Sequence, residues 1–153
     1  MAGNHADAAA LRELRGWFET FGAHVAAVDF AAARPMFAED ALGFGTFANV
    51  LEGREAIERE QWRTVWPTIE DFRFDLERLQ VRTSPDGLLA LAMITFTSFG
   101  FKADGTRFER PGRATLAFAR ARADAPWLAV HSHFSLNRGV LQRSFAERPE
   151  AGG

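Results

Sequence analysis

From Phe72 to Leu136 apolar residues recur at every second position in runs separated by turn signals, so this half of the chain must fold as successive antiparallel strands. Phe72, Phe74 and Leu76 alternate, and Leu79 and Val81 resume the apolar face after a phase slip, which predicts a bulge near Glu77 and Arg78. Asp86-Gly87 and Asp104-Gly105 turn the chain on either side of a long strand over 88–101. Strands over 113–122 and 127–136 follow, joined across Ala125-Pro126, while Pro111 donates no ladder bond and interrupts pairing before them.

The first half reads as helical. Leu11, Leu14, Trp17, Phe18, Phe21, Val25 and Val28 share one helix face over 8–28, with Asp7 placed to cap it. Asp29 can cap a short second helix over 30–37 that Pro35 kinks or ends. A strand over 41–47 follows, and a third helix opened by Gly53-Arg54-Glu55-Ala56 ends at Pro67. Helices first and a meander after them give an α+β fold, a curved antiparallel sheet with three N-terminal helices on its concave face. The expected organisation is an N-terminal extension over 1–10, one domain over 11–136 and a flexible tail over 137–153.

Composition removes several functions. The net charge is -2 and no Lys or Arg run forms a basic stripe, so nucleic acid is not an expected partner. No stretch is long enough to span a bilayer, and the N-terminus lacks an apolar signal core. With no cysteine there is no disulfide, thiolate site or thiol nucleophile, in keeping with a cytoplasmic protein. Fifteen Phe and four Trp stand beside no Tyr, so large rings abound without a phenol.

Alternation sorts the last strands into two faces. Leu116 and Phe118 share one face of their strand; Leu128, Val130, Ser132, Phe134 and Leu136 share one face of the next and should look toward the helices. The opposite set, Trp127, Ala129, His131, His133 and Ser135 with Arg113 and Thr115, combines small, aromatic and polar groups as a two-fold subunit interface does. A homodimer through this outer sheet face is the expected partnership.

Val28-Asp29, Phe37-Ala38-Glu39-Asp40-Ala41, Glu52-Gly53-Arg54-Glu55-Ala56-Ile57 and the closing run from Trp127 to Ser135 resemble the SnoaL-like, ketosteroid isomerase-like branch of the nuclear transport factor 2-like superfamily. The closing run is also similar to the association domain of calcium/calmodulin-dependent protein kinase. The resemblance covers roughly residues 11–136 and implies a cone-shaped, cystatin-like α+β barrel. It does not carry the isomerase chemistry with it. The position that resemblance assigns to an oxyanion-stabilising Tyr is Phe21, which cannot donate a hydrogen bond, and the stretch assigned to a proton-shuttling Asp reads Gly43-Phe44-Gly45-Thr46. The kinase pocket's arginines would fall near Leu116 and Phe134.

No catalytic residue is assigned, and no metal or cofactor is expected. His131 and His133 point the same way, as metal ligands do, but no third ligand stands at a motif spacing, so they read as interface groups. His24 flanks the first helix's buried stripe and is the one candidate general base; Arg113 is a candidate for a substrate carboxylate. The expected ligand pocket comprises Trp17, Phe21, Phe37, Trp62, Thr95, Leu116, Ser132 and Phe134, with Thr46 and Thr97 as further polar groups. Three functions stay open: binding of a small apolar molecule, an isomerase, cyclase or dehydratase using the cone, and a non-catalytic assembly module.

Overall fold

The computed structural model describes residues 5–45 and 49–145, with only backbone for the first two; Thr46 lies outside the described residues. Helix α1, His5–Ala27, lays Leu14, Trp17, Phe18, Phe21 and Val25 into the core. Asp7 lies inside the helix rather than at its cap, and its carboxylate accepts from the Thr83 amide at 2.9 Å and hydroxyl at 2.7 Å, tying the helix start to the sheet. The helix ends at Val28, whose φ of 55° is rare for a β-branched residue and lets the Asp29 amide reach the His24 carbonyl at 2.9 Å. Asp29 then caps α2, Phe30–Ala33, through the Ala32 amide, and the chain tightens into a 3₁₀ turn at Arg34–Met36 as Pro35 requires.

Strand β1, Phe37–Phe44, starts earlier than its sequence pattern indicated, and β2 is Leu51–Glu52. The third helical segment runs as α3, Arg54–Ile57, a π turn at Glu58–Trp62, α4, Arg63–Val65, and a 3₁₀ turn at Trp66–Thr68. Then come β3, Glu70–Phe74, β4, Gln80–Thr83, β5, Leu89–Phe101, β6, Arg107–Glu109, β7, Gly112–Ala119, and β8, Leu128–Leu136.

The fold is mixed α+β with helices on one face of a curved, unclosed sheet ordered β2-β1-β8-β7-β5-β3. Long β5 carries β3 and β4 on one edge and β7 and β6 on the other. Both edges break along its length: the expected bulge at 77–78 is a 3₁₀ turn at Leu76–Arg78, and Arg110-Pro111 separates β6 from β7. The sheet is not wholly antiparallel, because β1 runs parallel to β8 with Gly43 beside Ser132 and Phe44 beside His133. Glycine at 43 eases this close approach, since a Cβ would stand a tight 3.3 Å from both the Ser132 carbonyl and hydroxyl oxygens.

Aromatic rings fill the space between helices and sheet. Trp17 meets Phe118 edge to face at 4.8 Å, and Phe30, Trp66 and Trp62 stack in series at 5.3 and 4.9 Å. Residues 137–145, read from the sequence as part of a mobile tail, lie along one end of the sheet. The Ser144 hydroxyl accepts from the Phe101 amide at 2.8 Å and donates to the Thr68 carbonyl at 2.6 Å, and the Phe145 amide bonds the Phe101 carbonyl.

Candidate functional site

A bulge decides which side chains of β8 face inward. Ala117 pairs with His131 but Phe118 pairs with Ala129, so Val130 is the extra residue and the alternation changes phase there. Trp127 and Ala129 are therefore buried on the same side as Ser132, against the expectation that both lie on the outer face. Trp127 packs beside α1, where its indole N–H donates to Glu13 at 2.7 Å under the Arg120 guanidinium. His131, His133 and Ser135 keep the outer placement, and the His131 Nδ1 lies 3.0 Å from the Leu42 carbonyl.

The inner face bounds a small cavity of about 40 Å³. Its apolar wall comes from Phe21 and Val25 of α1, Trp62, Val65 and Trp66 of the third helical segment, and Phe72, Phe96 and Phe134 of the sheet. Among the described residues its polar lining is Gln61, Ser98 and Arg110, only 7%, 2% and 3% exposed, with Ser135 of β8 also bordering it. The Gln61 Oε1 has no hydrogen-bond partner among the described residues. Arg110 Nη1 donates to the Leu141 and Gln142 carbonyls at 3.2 and 2.8 Å, and burial pulls the guanidinium below its ordinary value.

Of the expected pocket, Phe21, Trp62 and Phe134 line this cavity. Phe37, Leu116 and Ser132 are buried in the core instead, Ser132 with its hydroxyl unpartnered among the described residues against Gly43, and Trp17 packs into the core while one side borders the surface groove that holds His24. Thr95 points the other way. Along β5 the buried set is Ala90, Ala92, Ile94, Phe96 and Ser98, so Thr95 and Thr97 belong to the outer face and Thr95 lines a shallow outer groove with Arg113, Thr115 and His133. His24 lies in a surface groove with Thr20 and Trp127, away from the cavity.

The signal for Ser98 was present in the sequence: continuing the period-two set inward from Ile94 and Phe96 reaches it. Gln61 adjoins Trp62 on a π turn, which rotates side chains off the ordinary helical faces. Arg110 stands at a strand break beside Pro111, where alternation gives no direction. Among the described residues no group of three or more His, Asp or Glu is placed to hold a metal.

Near β1, Glu58 is buried between Arg34 and Arg63, bonded at 2.7 and 3.0 Å. Burial raises its carboxyl, but the hydrogen bonds and charges of the two arginines outweigh that and hold it below the ordinary 4.5.

A curved, unclosed sheet wrapped around an N-terminal helix, with a cavity at its inner face, is the arrangement of cone-shaped nuclear transport factor 2-like domains. The chain belongs to the SnoaL-like domain family, whose pattern it matches over residues 15–138. No curated protein matches the sequence. Among solved structures it is similar to a nuclear transport factor 2-like superfamily protein from Salmonella enterica serovar Typhimurium, at 14% identity and TM-score 0.68 over 95% of this chain and 98% of that one. A ketosteroid isomerase-like protein from Erwinia carotovora atroseptica is 16% identical with TM-score 0.64, over 83% and 95% of the two chains. The association domain of CaMKII from C. elegans is 14% identical with TM-score 0.65, over 86% and 99%. These likenesses carry the fold.

Proposed function

We propose that this SnoaL-like domain is a homodimeric binding protein that receives a small, largely apolar molecule in the cone cavity. The carrying observation is the composition of that cavity: rings and aliphatic side chains form most of the wall, and among the described residues the polar lining is Gln61, Ser98, Arg110 and Ser135. An amide, a hydroxyl and a permanently charged guanidinium orient a ligand well and transfer protons poorly at neutral pH. At about 40 Å³ the space takes the equivalent of about three waters, so the occupant is short or displaces side chains at the mouth. The binding unit is the domain over 11–136 with residues 137–145 strapped across it. The lack of cysteine accords with a cytoplasmic location.

The dimer reading rests on the outer sheet face. Leu42, Phe44, Leu91 and Met93 are 49%, 40%, 46% and 52% exposed there beside His131, His133 and Thr95, a patch of the kind that self-association covers. The same patch favours the assembly-module reading as the rival. Thermal melting against a panel of short neutral and acidic organic molecules tests the binding function; a melting temperature that no member raises would remove it.

A further inference from the structure

We infer that the cone cavity is a carboxylate site in which the Arg110 guanidinium meets a short organic acid. The inference rests on the small-molecule reading and narrows it to one ligand class.

Four observations carry it. Arg110 is 3% exposed, yet it belongs to none of the ion pairs among the described residues. A buried guanidinium without an anion is costly, and Arg cannot shed its proton to escape that cost. Its side-chain bonds among those residues run from Nη1 to two neutral carbonyls, leaving Nε and Nη2, the pair that suits a two-pronged carboxylate, without a protein acceptor there; neither is among the fully buried unpaired side-chain atoms, so both are open to solvent or an incoming ligand. Burial is the one cause acting on its titration, with no neighbouring charge opposing it.

Second, the sheet makes room for this side chain. A Cβ at Gly100 would stand 2.6 Å from the Arg110 Cδ and 3.0 Å from the Ser144 Oγ. The strand thus holds its smallest residue where the arginine stem crosses it. Third, the break between β6 and β7 lets Arg110 turn inward while its amide still bonds the Ser98 carbonyl at 2.7 Å. Fourth, Gln61 is more than nine-tenths buried with an unpartnered Oε1 in the same cavity, so a polar group of the occupant is expected there as well.

The size of the cavity sets the length of the acid. Room for about three water-sized spheres suits a two- or three-carbon acid such as propionate, its carboxylate on Arg110 and its alkyl end against Phe96 and Phe134. Arg110 and Val65 also border a shallow outer groove with Thr64, Thr68 and Arg143, which gives a charged approach to the site.

The test is an NMR titration of the full chain with propionate and with propionamide, its neutral counterpart, at matched ionic strength. The Trp62 and Trp66 indole N–H signals report from the cavity wall. The expected result is saturable binding of propionate about tenfold or more tighter than propionamide. Arg110→Met should erase that preference, Arg110→Lys should keep part of it, and Ser144→Ala, which loosens the strap and leaves the charge, should keep it all. Equal affinity of the wild type for the two probes overturns the carboxylate site while leaving the cavity a binding site. No saturable response to either overturns both. The wild-type ratio decides the matter even where a variant fails to fold.

Discussion

The two faces of the sheet are built from the same strands and differ in nearly everything else. Along β7, Phe118 is wholly buried against Trp17 and Phe18, whereas its neighbour Ala117 faces outward beside His131. Inward positions hold the large rings, interspersed with alanine and serine, and glycine stands where Phe96, Arg110 or Ser132 comes close. Outward positions carry alanine, threonine and histidine, with leucine and methionine left partly open. The inner face therefore supplies stability and a cavity, and the outer face supplies a broad, shallow surface suited to another copy.

Adjacent substitutions on β7 should separate the two roles most sharply. Phe118→Ala should cost about 3–5 kcal/mol in urea unfolding, through lost ring burial and the void it leaves. Ala117→Ser should change stability by less than about 0.5 kcal/mol. Similar losses at both positions would break the distinction between faces.

Filling the cavity is a smaller perturbation with a selective effect. Phe134→Trp adds ring volume where Phe74 and Phe96 already sit at 6.3 and 5.7 Å, so stability should change by about 1–3 kcal/mol while propionate binding disappears. Binding that survives in this variant, followed by the same indole signals, would place the ligand elsewhere.

The smallest expected effect concerns Glu58, which anchors the third helical segment to Arg34 beside the inner face. Its folded-state carboxyl is held below the ordinary value, so its contribution is fully present above about pH 4.5 and is lost as the pH falls through the lower folded value. Glu58→Gln should flatten that acid-side loss in melting curves recorded across pH 3–6. An unchanged acid dependence would mean that the Arg34 and Arg63 contacts add nothing to stability.

Much of this arrangement was legible in the sequence. The α+β order follows from apolar periodicity and the outward histidines from alternation, the cone was implied by the family resemblance, and Asp29 and Pro35 act as their chemistry dictates. Two of the errors share one cause, a phase that cannot be tracked through irregular backbone. The extra residue Val130 carries Trp127 and Ala129 to the inner side, and the strand break at Arg110-Pro111 hides the inward arginine. Thr95 was misplaced for a different reason: its polarity drew attention, although its neighbours Ile94 and Phe96 already marked the inner face. The parallel pairing of β1 with β8 joins segments about ninety residues apart, which no local pattern records.

The claim that the two faces have separate uses is tested most directly by the molar mass in solution. Light scattering at micromolar concentration should return twice the 17.0 kDa chain mass for the wild type. The Leu91→Lys, Met93→Lys double variant should return the single-chain mass with its melting temperature nearly unchanged, because both side chains stand half exposed on the outer face. A wild-type mass of one chain would contradict the account, as would a double variant that stays dimeric.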